Sequence, residues 1–171
     1  MYKRQLTKKA YELRPGSAFI VETLFDLQIA NGSWEEANKT LADAERRKVK
    51  PENLVKKSRA VVLSALAQSK KLEGKEKEAI LASESALDCD KEFVPAALIR
   101  AGLISDVKSQ RKAVSLIESF CKRKSHPKVL EAYVKLWQKE EDLQKYQRLQ
   151  NLLDHKVVDD EVILFMAQSA L

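Results

Sequence analysis

Glycine, proline, cysteine and histidine are scarce in this chain of 171 residues, with four, four, two and two copies. So few glycines and prolines leave little of the turn chemistry that a loop-rich or all-β protein needs. No β-branched run alternates with period two over more than a few residues, and no sheet is expected. Cys89 and Cys121 fall in separate expected helices with none of the spacings of a zinc site, so buried reduced thiols are favoured over a disulfide. No run of about 18 apolar residues is present to span a bilayer. Met1-Tyr2-Lys3-Arg4 leads into a charged helix and not into the apolar core of a signal peptide. A P-loop, a Ser/His/Asp set and a metal motif are all missing, and no catalytic residue, cofactor or metal ligand is expected.

What the chain has instead is alanine, leucine, lysine and glutamate, the composition of an all-helical protein. The stretch from Leu24 to Ala44 carries the clearest pattern. An apolar run at helical spacing (Leu24, Phe25, Leu27, Ile29) ends at Asn31-Gly32, where glycine supplies the positive φ that closes a helix. Ser33 stands where it would cap a second helix, with Glu36 completing a capping box. That helix places Trp34, Ala37, Leu41 and Ala44 on one face, and so short a turn makes the two helices antiparallel.

The hairpin recurs. Ala10 and Ala44 lie 34 residues apart, as do Ala79 and Ala113. Ala86 follows Ala44 by 42, and the basic segment Arg46 to Asn53, turned at Pro51, accounts for the extra eight. A period near 34 built of helix–turn–helix units is the signature of tetratricopeptide-type repeats. The expected organisation is one array: a partial repeat over 2–14, repeats over 17–48, 52–88 and 92–123, an irregular one over 126–154, and a first helix of a truncated repeat over 158–171. In the opening helix Leu6, Ala10 and Leu13 are expected inward. Ala37, Ala44, Ala67, Ala79, Ala86 and Ala101 are expected at close helix contacts, where a larger side chain would overpack. Phe120 breaks the pattern in the third unit. The apolar last helix and the solitary first one suggest a segment of a longer protein.

Charge is uneven. Residues 1–14 carry +4, 15–45 carry −5, 46–59 carry +6, 108–128 carry +6 and 129–171 carry −3. Arg46, Arg47, Lys48 and Lys50, and Lys122, Arg123 and Lys124, close second helices, where cations suit the helix dipole and stay solvated. The alternative is that these turns meet anionic lipid headgroups. Aromatics do not interleave with the basic residues, and nucleic acid is not expected as a partner.

The ordered set Leu24-Phe25-Asp26-Leu27-Gln28, Gly32-Ser33-Trp34-Glu35-Glu36-Ala37, Arg59 to Ala67, Phe93-Val94-Pro95-Ala96-Ala97-Leu98 and Ser125-His126-Pro127 resembles the soluble repeat domain of bacterial HemY proteins. The likeness runs from about Pro15 to the end of the chain. It implies an inner-membrane protein whose repeat domain lies on the cytoplasmic side and serves late haem biosynthesis. A flavin-dependent protoporphyrinogen oxidase shares the name, but the GxGxxG fingerprint it needs is absent.

Three functions remain open on these residues: a non-enzymatic scaffold for haem-biosynthesis or envelope proteins, a haem or porphyrin carrier, and a generic peptide-binding repeat module. Stacked hairpins of this class wind into a right-handed superhelix whose first helices line a concave groove. The residues expected to face a protein partner there are Phe19, Glu22, Asp26 and Ile29 in one unit and Val61, Ser64, Gln68 and Lys71 in the next. His126 with Cys121 is the one candidate pair of haem ligands, though their spacing across a helix end presets no shared coordination position. His155 suits a helix C-terminus. Glu35-Glu36, Glu140-Glu141-Asp142 and Asp159-Asp160 fall in first turns, where they complement the helix dipole.

Overall fold

The computed structural model describes residues 2–107, 110–153 and 159–168, and among these every regular element is a helix. There are ten: α1 Tyr2–Leu13, α2 Ala18–Ala30, α3 Trp34–Arg46, α4 Glu52–Leu72, α5 Glu76–Cys89, α6 Val94–Val107, α7 Gln110–Cys121, α8 Pro127–Lys135, α9 Asp142–Leu153 and α10 Asp160–Gln168. The chain divides into two compact units, Met1–Asp90 and Lys91–Leu171.

In the first unit each helix packs on the next, α1 on α2 through to α4 on α5. Side-chain pairs fix their directions. Arg4 donates to Glu36 at 2.6 Å and Tyr11 to Asp43 at 3.3 Å, so α1 and α3 run parallel in a register offset of 32 residues. Arg59 near the start of α4 reaches Glu45 at 2.9 Å, and Lys70 near its end reaches Glu35 at 2.8 Å, so α3 and α4 run antiparallel. Ala37, Leu41, Val55 and Val62 form the core between α2, α3 and α4, with Phe25, Ile29 and Trp34 packed against it.

The small-residue positions are the interior contacts. Ala37, Ala44, Ala67, Ala79, Ala86, Ala101 and Ala113 are all buried, which lets helix axes approach at the short end of their usual range. Phe120 is buried too, so the irregular third unit fills the equivalent space with one large side chain.

Glycine closes two helices as expected. Gly32 (φ +66°) donates to Ile29 O while Ser33 N donates to Gln28 O, the paired bonds of a Schellman motif. Gly74 (φ +73°) repeats it with Lys71 O and Lys70 O. Lys48 adopts the same conformation (φ 55°) at the end of α3, bonding Glu45 O while Val49 N reaches Ala44 O.

Two expectations are corrected. Ser33 stands at the N-cap of α3 but makes no side-chain cap bond, and the reciprocal half of the box is also absent: Glu36 pairs with Arg4 of α1, and Ser33 N donates to Gln28 O. Leu6 and Leu13 do not face inward: they are 49% and 83% exposed. The α1 residues that bond α3 are Arg4 and Tyr11, which leaves the leucine face uncovered.

In the second unit α6, α7 and α8 pack mutually, α9 lies on α7 and α8, and α10 rests on α8. Its interior holds Ala97, Leu103, Ile117, Phe120, Val129, Leu130, Leu149 and Val162. His126 caps α8, its Nδ1 accepting from Lys128 N at 3.2 Å. The α8 helix stops at Lys135, short of the expected 138, as Leu136 N and Trp137 N bond three residues back to Tyr133 O and Val134 O. Trp137 is thereby turned under Arg148, whose guanidinium lies 3.7 Å over the ring while forking onto Glu140 at 2.6 and 2.7 Å. His155, Lys108 and the last residues of the expected final helix lie outside the described residues.

Candidate interaction surface

Two exposed apolar features of the first unit gather several residues each, while Leu81 on α5 is exposed singly. The first is a stripe on α4. Leu54, Val61 and Gln68 recur every seven residues and stay on one side of the helix, with Leu72 beside them. Leu54, Val61 (52% exposed) and Leu72 are all open to solvent, whereas Val55, Val62, Leu63 and Ala67 on the other side are buried. The second is a cleft of about 560 Å³ between α1 and α2, lined by Lys3, Leu6, Thr7, Thr23, Asp26, Leu27 and Ala30. It continues toward the α1–α2 turn past Ala10, Ile20 and Phe19, which is 76% exposed.

The α2 and α4 helices, each antiparallel to α3, run parallel to one another; Lys50, just before α4, pairs with Glu22 at 2.8 Å, and Phe25 and Ile29 pack on the core cluster of Ala37, Leu41, Val55 and Val62. Of the residues expected to face a partner, Phe19, Glu22 and Asp26 on α2 and Val61, Gln68 and Lys71 on α4 are exposed. Phe19 and Asp26 look into the α1/α2 cleft, and Glu22 is joined to the start of the α4 helix. Two residues are placed otherwise. Ile29 packs on the core cluster. Ser64 is 4% exposed and donates its hydroxyl to Ala60 O at 2.8 Å, so it has no outward polar group to offer. A serine at mid-helix satisfies itself on the preceding turn in this way. Leu54 extends the exposed side at the seven-residue spacing of Val61 and Gln68, and Leu72 lies four residues beyond Gln68.

Charge around this surface is held in pairs. Lys70 is the hub: Glu35 at 2.8 Å, Glu78 at 3.4 Å and Glu73 at 3.8 Å surround one ammonium. The hydrogen bond from Lys70 lowers the Glu35 pKa below its ordinary range, and the same bond raises that of Lys70. Burial, then the neighbouring Asp43 charge, pushes the Tyr11 phenol up.

The basic residues are split. Arg46, Arg47 and Lys48 are exposed at the end of α3, with Arg46 paired to Asp43, while Lys50 is half-buried on Glu22. Lys122, Arg123 and Lys124 are exposed after α7. Cys121 is buried, and His126 Nδ1 is engaged as a helix cap. Among the described residues no three His, Cys, Asp or Glu side chains gather as a metal site, and no helix is long and apolar enough to cross a membrane.

No family model matches the chain, and no curated protein matches it. Solved structures do. TTC0263, a thermophilic TPR protein of Thermus thermophilus, aligns over 98% of this chain and 88% of its own at 14% identity, with a TM-score of 0.45. YrrB, described as a TPR protein with an unusual peptide-binding site, aligns over 98% of this chain and 82% of its own at 13% identity, with a TM-score of 0.52. Antiparallel hairpins with alanine at the close contacts, alternate helices running parallel and the likeness to YrrB agree: the fold is all-α and of the tetratricopeptide-repeat type.

Proposed function

We propose that this chain is a non-enzymatic scaffold that binds a segment of a partner protein along the exposed side of α4 and the neighbouring edge of α2. The observation that carries the reading is the uncovered stripe of Leu54, Val61 and Leu72 on a helix whose other side is fully packed. Apolar side chains at seven-residue spacing on a rigid helix are the anchors that a helical or extended segment uses. Glu22 and Asp26 are exposed carboxylates on α2, Glu22 paired with Lys50, and favour a basic partner segment. Its fold-mate YrrB is described as binding peptides, which agrees with such a use of the fold.

The ordered motifs shared with HemY proteins support a narrower version, in which the partners are enzymes of late haem synthesis and the intact protein sits on the cytoplasmic side of the bacterial inner membrane. The exposed cations Arg47, Lys48, Lys122, Arg123 and Lys124 suit an anionic lipid surface there.

A photo-crosslinker at Val61 should capture one defined protein from bacterial membranes, and the captured band should disappear with Leu54→Glu or with Glu22→Lys and Asp26→Lys combined. Equal capture from position 84, exposed on α5, removes the α4 surface from consideration. A captured haem-synthesis enzyme supports the narrower version; any other identity leaves the scaffold without its tie to haem. Vesicles with and without anionic lipid that bind the chain equally at low salt count against the membrane contact.

A further inference from the structure

The α1 and α10 helices each leave an apolar face uncovered, and the two are opposite in charge. On α1, Leu6 and Leu13 are exposed, with Lys3 and Lys9 on the same side of the helix. Leu6 and Phe19 line the α1/α2 cleft, which runs from Ala30 and Lys3 past Thr23 toward Ala10 and Ile20. On α10, Val162 is buried against the second unit. Ile163, Leu164 (59% exposed) and Ala167 follow at 100°, 200° and 140° around the helix from Val162 and form an outward apolar face. Asp159, Asp160 and Glu161 stand exposed at its start.

We propose that the outer face of α10 of one copy of this chain seats in the α1/α2 cleft of a second copy. Charge selects this pairing over the symmetric ones. Two α1 faces together would set lysines against lysines, and two α10 faces would set carboxylates against carboxylates. Only α10 on α1 brings acidic residues to basic ones while covering apolar surface on both. Lys3 and Asp26 at the cleft rim give one charge of each sign, so the net bias comes from Lys9 and the acidic start of α10. The contact joins two different surfaces, and a dimer therefore keeps one free cleft on one copy and one free α10 on the other. Association is stepwise and grows with concentration. The α4 stripe takes no part, so this inference stands apart from the proposed scaffold surface.

Sedimentation of the full 171-residue chain from about 1 μM to 1 mM reads the outcome. The wild type should rise above the 19.4 kDa monomer with concentration. Leu6→Glu and Leu164→Lys each remove one half of the junction and should stay monomeric, with dissociation constants raised at least about tenfold. Mixed in equal amounts they should form a dimer and stop there, because one variant keeps its α10 and the other its cleft. Both sites are surface positions, and unchanged circular dichroism verifies the fold. A wild type that stays monomeric throughout, a mixture that does not pair, or self-association abolished by Val61→Glu in place of Leu6→Glu overturns the proposal.

Discussion

Lys48 closes α3 with the same two backbone hydrogen bonds and the same left-handed φ with which Gly32 closes α2. The motif is shared, but the side chain is not. An L-residue in this region costs about 1–2 kcal/mol that glycine does not incur. Lys48→Gly should therefore raise stability by about 1 kcal/mol in urea denaturation, and Gly32→Ala should lower it by a similar amount. The substitution at Gly32 meets no steric obstacle, since a Cβ there would lie 3.8 Å from Trp34 Nε1. Its cost isolates the backbone conformation.

A second prediction concerns the buried alanines. Ala44 and Ala86 are fully inaccessible at the contacts between successive helices. Ala44→Leu and Ala86→Leu should each cost roughly 1–3 kcal/mol, as expected for overpacking, whereas Leu41→Ala should cost about 2–5 kcal/mol for the cavity it opens. Thermal melts of the three variants check the order. Equal melting temperatures for Ala44→Leu and the wild type would show the helix contact to be looser than described.

These alanines also show what could be read from the sequence. Period, helix limits and close-packing positions were legible because alanine spacing and the Asn31-Gly32 break report local geometry directly. The outward turn of Leu6 and Leu13 was not, because periodicity identifies an apolar face without saying whether anything covers it. The capping box expected at Ser33 is not closed by Glu36 for a non-local reason: Arg4, 32 residues from Glu36 in sequence, takes its carboxylate. Ser64 shares a helix register with Val61, Gln68 and Lys71, and register alone does not report that it lies at the buried edge of that face.

The ion pairs give a third prediction. Glu35, lowered by its hydrogen bond from Lys70, and Glu140, lowered by that from Arg148, have folded-state values below the ordinary 4.5. Depressed carboxylates contribute stability above the unfolded value and lose it as pH falls through the folded one. The melting temperature should therefore hold near neutrality and fall as pH drops below about 4.5. Solvent screening keeps the contribution small, and added salt should shrink it further. Lys70→Met should flatten the part of the acid limb that belongs to Glu35, measured by scanning calorimetry across pH 3–6 (approximate limits set by the carboxylate range).

The fourth prediction separates outward from inward positions on α4. Leu72→Glu should abolish capture by the crosslinker at Val61 with little change in stability, while Ser64→Ala should leave capture unchanged and shift stability by about 1 kcal/mol or less. Loss of capture by Ser64→Ala at unchanged stability would place the binding surface on the wrong side of the helix.

The neighbour-to-neighbour packing of α1 through α5 bears on how the first unit folds. Nearly every stabilising contact joins segments close in sequence, so little loop-closure entropy opposes its formation, and folding is fast for the size of the chain. The same locality weakens all-or-none behaviour. The α1 helix, with one helical neighbour in α2 and two polar ties to α3, opens first and without the rest, so its amides exchange with solvent while those of α4 remain protected.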